Sequence, residues 1–434
     1  MDMQRIDTTT DRNPGTAPEV TNRLAFCVLT GIFFMWGFIT ALNDVLIPHL
    51  KALFALNYAQ VMLIQFCFFG AYFLMSLPSG RVVSSLGYKR SIIVGLCVAG
   101  VGAALFYPAA ALASYGVFLT ALFVLASGIT LLQVAANAYV ALLGPERTAS
   151  SRLNLSQAFN SVGTTLAPQF GGLLILSGTV LGVSELGRLG SAAQAAYHTQ
   201  QAHAVQGPYL GIAASLFMLA LIVHLFRLPK LQGQGAAGEQ SRHSIGETLR
   251  HPQVRFGAIG IFLYVGAEVS IGSFLINYIA QPSIGNMPQA QAANFVSYYW
   301  GCAMIGRFVG AALLQKVEAR SLLYIFASIA AALVLTTMLS HGLIAVCSVV
   351  AIGAFNSIMF PNIFTLGIEK MGSHTGRASS LLVMAIVGGA VVPVLQGALA
   401  DAFGVQNAFI LPLLCYLYIV FYGLKGSRYV LADA

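Results

Sequence analysis

Charge is scarce in this sequence. Asp, Glu, Lys and Arg make up 8% of its 434 residues, against roughly 25% in an ordinary soluble domain. So few charges cannot clothe a water-facing surface of this size, which excludes a soluble enzyme and a disordered chain. Close cysteine pairs are also lacking. Cys27, Cys67, Cys97, Cys302, Cys347 and Cys415 all lie in apolar stretches, and none forms a CxxC. That excludes a disulfide scaffold, suggests no metal site, and leaves them as small core residues. The first 23 residues are polar, with Asp2, Arg5, Asp7, Asp11 and Arg12 and no apolar run. They are not expected to be a cleaved signal peptide.

What the chain has is apolar length. Hydrophobic residues make up 57% of it, in runs of about 20 residues that match the thickness of a bilayer. Twelve spans are expected: 24–48, 59–83, 91–111, 115–144, 154–178, 207–228, 255–281, 291–315, 321–341, 343–370, 376–403 and 405–425. The reading is an all-α membrane protein. Placing the N-terminus inside puts 20 of the 22 Lys and Arg on the inner face and leaves only Lys51 and Arg188 outside. By the positive-inside rule both termini are then cytoplasmic. The +8 net charge is spent on topology and is no nucleic-acid signal. A Gly/Gln-rich, charged stretch at 229–252 reads as a cytoplasmic linker between two six-helix halves, 24–228 and 253–425. Residues 1–23 and 426–434 are inner tails.

The halves repeat. Asn137 and Asn362, Arg152 and Arg377, and Pro168 and Pro393 are each 225 residues apart. Gly80-Arg81 and Gly306-Arg307 are 226 apart, and Asp44 and Glu268 are 224 apart. Five matches between corresponding spans at nearly constant offset indicate a duplicated transporter. The turn around Gly80, Gly87, Lys89 and Arg90 resembles the major facilitator signature between spans 2 and 3, although Ser84 stands where an acidic residue is usual. These residues and Arg307 are candidates for gating at the cytoplasmic ends.

An intramembrane carboxylate is costly and so marks function by default. Asp44 in span 1 and Glu268 in span 7 are the two candidates for ion coupling. Glu369 and Asp401 lie near span ends, where solvation is cheap. Trp36, Thr40 and Asn43/Asp44 share one helical face; Trp36 reads equally as a platform for a sugar ring or as an interfacial anchor. Gln133 and Asn137 are i, i+4 in span 4, and Gln157 and Asn160 are i, i+3 in span 5. Neutral amides both donate and accept, which suits a polyhydroxy ligand, though they also join membrane helices. Tyr264, Asn277, Asn356 and Asn362 complete the set in the second half. Glu268 is open between ion coupling and gating.

Seven runs carry a more specific likeness: FFMWGFITALNDVLIPHL (33–50), IQFCFFGAYF (64–73), LFVLASGITLLQVAANAYV (122–140), SRLNLSQAFNSVGT (151–164), YVGAEVSIGSFLINY (264–278), FNSIMFPNIFTL (355–366) and LLVMAIVGGAVVP (381–393). Together they resemble the fucose–galactose–glucose:proton symporter family of the major facilitator superfamily, nearest its bacterial glucose/galactose branch. The resemblance implies a twelve-helix fold in the bacterial cytoplasmic membrane and hexose uptake driven by a cation gradient. It implies no cofactor beyond the coupling ion and no metal; the partners are a small sugar and the lipid bilayer, and the working unit is a monomer. In the related L-fucose symporter, an aspartate in span 1 and a glutamate in span 4 are tied to proton coupling. The first matches Asp44. The second falls on Gln133, which cannot titrate, so sodium stands beside the proton as coupling ion. Gln157 and Asn160 match family positions implied in sugar binding. A sugar uniporter or a facilitator exporting another small molecule is the alternative. A sugar-sensing receptor lacks a signalling domain, and an enzyme lacks any nucleophile–base or metal constellation.

Overall fold

The computed structural model describes residues 22–53, 58–112, 114–174, 190–226, 228–229 and 244–428, with the side chains of 42–53 and several further positions left out. Every regular element among the described residues is helical. The first half holds α1 (Arg23–Leu53), α2 (Tyr58–Ala111), α3 (Tyr115–Leu142), α4 (Ala149–Leu174) and α5 (Ser191–Leu225). The second holds α6 (Ile245–Arg250), α7 (Pro252–Ile279), α8 (Gln289–Leu313), α9 (Ala319–Leu339), α10 (Gly342–Asn356), α11 (Met359–Gly367), α12 (Thr375–Met384), α13 (Gly388–Phe403), α14 (Val405–Ala408) and α15 (Ile410–Phe421).

These elements are the twelve expected spans. Spans 2 and 3 are both in α2, joined at Gly87, whose φ of 76° and ψ of 167° turn the chain between them. That φ is open to glycine and strained for other residues, so the signature turn is a hinge of one residue. Span 10 is α10 plus α11, span 11 is α12 plus α13, and span 12 is α14 plus α15. Pro361 explains the first break: it has no N–H to give the Ser357 carbonyl one turn earlier, and the helix interrupts at Ser357–Ile358.

Nine segments of the described helices are long and apolar enough to cross a membrane, one of them covering both spans of α2. The two spans too polar to qualify are α4 and α8. The reason is chemical. α4 carries Asn154, Gln157, Asn160 and Ser161, and α8 carries Gln291, Asn294, Ser297 and Arg307. These two helices pack on each other across the boundary between the halves, where Phe159 meets Phe308 edge-on with ring centroids 5.9 Å apart. The polar face of α4 is buried or half-buried in protein, whereas on α8 Arg307 turns inward and Gln291, Asn294 and Ser297 are exposed.

Two loops hold more structure than their composition suggests. α5 begins at Ser191, well before the span expected from 207, so much of the outer loop is helix. The end of the linker forms α6 through a capping box: Ser244 Oγ accepts from the Gly246 N–H, and Glu247 accepts from the Ser244 N–H.

Candidate functional site

Two polar clusters, one in each half, meet at the centre. In the first half Gln133 (α3) donates through Nε2 to the hydroxyl of Tyr72 (α2) at 2.6 Å, and the Trp36 indole (α1) lies beside the same hydroxyl. Trp36, Tyr72 and Gln133 are 8%, 2% and 4% exposed. Trp36 is thus a buried side chain tied into the first half. Phe33 and Phe68 pack against it and Tyr72, with ring centroids 5.3 and 5.4 Å apart. On α4, Gln157 is buried, and Asn160 donates to the Phe33 carbonyl at 2.9 Å, holding α4 against α1. Gly37 allows that approach: a Cβ there would fall on the Asn160 carbonyl.

The second cluster centres on Arg307. Its Nη2 lies 3.7 Å from Glu268 Oε1 on α7, the side chains being 14% and 12% exposed. Nε donates to the Ser357 carbonyl at 3.3 Å, the carbonyl that Pro361 leaves without a helical partner. Nη1 donates across the boundary to Ser161 on α4, whose hydroxyl donates in turn to the Gln157 carbonyl at 3.1 Å. One guanidinium therefore joins α7, α8, the break in span 10 and the amide face of the first half. Tyr264 lies one turn before Glu268, buried, with its hydroxyl beside that carboxylate. Asn356 has both ends of its amide in use: it donates to Tyr299 and accepts from Tyr416, each at 2.6 Å. That makes it a strut between spans 8, 10 and 12.

At one end the halves are sealed. Asn154 (α4) donates to Asn362 Oδ1 (α11) at 2.9 Å. Ser150 and Thr365 share a hydrogen bond of 2.5 Å, and Ser151 donates to the Ala311 carbonyl at 2.6 Å. Ser379 (α12) donates to the Val134 carbonyl (α3) at 2.8 Å, and Gly80 lies against Ser380. This is the end that carries the Lys and Arg turns. There Lys89 donates to the His224 carbonyl at 2.9 Å, while Arg81 and Arg90 are exposed. Arg320 pairs with Glu369 in the turn after α11; burial pushes that carboxyl above its usual range, and Arg320 opposes the shift.

The expected site residues thus fall into distinct places. Trp36, Gln133, Gln157 and Asn160 gather in the first half; Glu268, Tyr264 and Asn356 gather in the second. Asn362 belongs to the seal, and Asn137 is buried on α3. Asn277 is exposed. Asn43 and Asp44 lie on α1 just beyond Thr40, and their side chains are outside the described residues. Arg307 differs from its repeat counterpart Arg81. It is not in a terminal turn but lies within α8, well before Leu313, and is turned inward by Glu268. Tyr72, Ser161 and Tyr299 are the participants that sequence reasoning missed. Gln133 Oε1 and both polar atoms of Asn137 are buried without a partner among the described residues. Such atoms cost about 1–3 kcal/mol each in a dry interior, so this face of α3 is built to meet something polar.

Comparison with known proteins identifies the family. Residues 25–386 match the family model described as Major Facilitator Superfamily. A glucose/galactose transporter of Brucella abortus is 50% identical over 423 residues, covering 98% of this chain and 99% of the relative. The L-fucose-proton symporter of Escherichia coli is 36% identical over 410 residues, covering 93% of each. The crystal structure of FucP in the outward conformation superposes with a TM-score of 0.86 at 36% identity, covering 93% of this chain and 98% of that one. The chain therefore belongs to the major facilitator superfamily, in the branch that holds the bacterial glucose/galactose transporters and the fucose:proton symporters.

Proposed function

We propose that the chain takes up a hexose of the glucose/galactose type across the bacterial cytoplasmic membrane, in symport with a cation, by alternating access. The observation that carries the reading is the facing pair of polar clusters, amide- and indole-lined in one half and Glu268–Arg307 in the other, joined at Ser161 above a sealed end. Neutral amides with an aromatic face suit a sugar better than an organic ion, which would call for a more apolar or counter-charged pocket. Relatives of the branch named as glucose/galactose transporters support the substrate class. The Lys/Arg-rich end is cytoplasmic by the positive-inside rule, so the seal lies inside and the site faces outward. The likeness to an outward-facing symporter supports the same orientation.

In this account the sugar binds between the halves, which rock about it. Asp44 takes up a proton, or helps hold sodium, and its neutralisation lowers the cost of occluding the loaded carrier. Sugar and ion must each bind one state better than the other, so each strengthens the other. Glu268 is held by Arg307, and its coupling role is secondary to that of Asp44. The test is uptake of radiolabelled glucose, galactose and fucose into proteoliposomes, with proton and sodium gradients imposed separately. Accumulation of a hexose under one gradient is the expected result. Equilibration without dependence on either gradient makes it a uniporter, and no hexose uptake overturns the reading.

A further inference from the structure

We propose that Tyr72 belongs to the sugar site, where its hydroxyl and Gln133 Oε1 form a donor–acceptor couple for a single hydroxyl of the substrate. The assignment rests on the hexose reading above and goes beyond it by naming a recognition element.

The argument is one of hydrogen-bond inventory. An amide N–H can only donate. The Tyr72 oxygen accepts from Gln133 on α3, with the Trp36 indole of α1 beside it. Its own hydrogen is then left to donate to a third group. Gln133 gives one of its two Nε2 hydrogens to Tyr72, and its Oε1 is buried without a partner among the described residues. A free donor and a free acceptor thus stand side by side, each fixed from behind by the same 2.6 Å bond. A sugar hydroxyl is donor and acceptor at once, so one such group can take the Tyr72 hydrogen and give its own to Gln133. The Trp36 indole beside them offers an apolar face to the ring carbons. Three helices, α1, α2 and α3, converge on the couple, so its geometry is set before a ligand arrives.

The pair also bears on the departure at Gln133. A glutamate there would lack a donor when ionised and gain one on protonation, whereas an amide accepts and donates at every pH. The couple in this chain is therefore a recognition device that does not titrate. Sites built to bond a hydroxyl reject analogues lacking it, because their own polar groups stay unpaired.

The experiment uses the full-length carrier in proteoliposomes, with glucose and the deoxy analogues that lack each hydroxyl in turn. Tyr72→Phe keeps the ring and removes the donor; Gln133→Met keeps the bulk and removes the acceptor. Tyr72→Phe is expected to raise KM for glucose about tenfold with little change in kcat, the loss of one well-made hydrogen bond. For one analogue, the KM of the wild type and both variants should coincide, because that analogue no longer carries the hydroxyl the couple reads. A KM raised by one common factor across all analogues shows Tyr72 to be merely structural and overturns the proposal, as does no change at all. A wild type that moves no hexose overturns the underlying reading instead, and the assignment falls with it.

Discussion

Removing Arg307 should damage this protein more than removing both Arg307 and Glu268. In Arg307→Met the Glu268 carboxylate, 12% exposed, loses its only cation among the described residues. Breaking a buried pair from one side costs about 3–5 kcal/mol. The 3.7 Å separation and the residual exposure of both groups put this case near the lower figure, about 3 kcal/mol. Glu268→Gln is milder. The guanidinium keeps Ser161 and the Ser357 carbonyl as acceptors, so the loss is one charge-assisted contact, about 1.5 kcal/mol. The double variant leaves no orphan charge, and its cost should stay near 2 kcal/mol rather than the sum of the singles. The assay is thermal unfolding of the four detergent-purified proteins. The expected order from most to least stable is wild type, Glu268→Gln, the double variant, then Arg307→Met. A double variant that melts below Arg307→Met by the full Glu268→Gln decrement would show the two residues to be independent and refute the hub.

Three further outcomes follow from packing. Asn154→Ala removes the bond to Asn362 across the seal, which shifts the balance toward the opposite state by about fivefold or more. A cysteine placed at Gly376 in a background without other cysteines should then label faster with an impermeant maleimide from the cytoplasmic side, and unchanged labelling would place the seal elsewhere. Ser379 is the repeat counterpart of Asn154, yet it bonds the Val134 carbonyl and leaves the Asn137 amide unpartnered. Ser379→Asn should complete a second amide pair, raise the melting temperature and slow turnover; unaltered uptake kinetics would contradict this. Gly37→Ala drives a Cβ into the Asn160 carbonyl and should cost about 1–3 kcal/mol by melting. Gly31→Ala on the same helix, with nothing within 4 Å, should cost nothing measurable.

The fold was legible where the physics is local. Bilayer-length apolar runs mark the spans, Gly87 marks the hinge of the signature turn, and the repeated Asn137 and Asn362 mark corresponding positions of spans 4 and 10. Legibility failed where partners are distant in sequence. Arg307 reads as a twin of Arg81 because both follow a glycine at the same place in the repeat. Only the fold shows that Glu268, Ser161 and a carbonyl freed by Pro361 turn it inward. Asn356 resembles a ligand-binding amide until Tyr299 and Tyr416 are found on both its ends. Tyr72 is hidden in an aromatic run that reads as plain core; its one polar atom gains meaning from Trp36 and Gln133 on other helices. The Ala/Gln-rich outer loop, 179–206, reads as flexible or weakly helical, because it has helix propensity but no apolar face, and from Ser191 onward it is helix.

The most direct test of the central claim is Asp44→Asn in proteoliposomes, read in two ways on one preparation. The account predicts that gradient-driven accumulation of glucose or galactose is lost while exchange between sugar-loaded compartments persists, because the carrier still binds and rocks but no longer takes its ion. Full accumulation by the variant would contradict it.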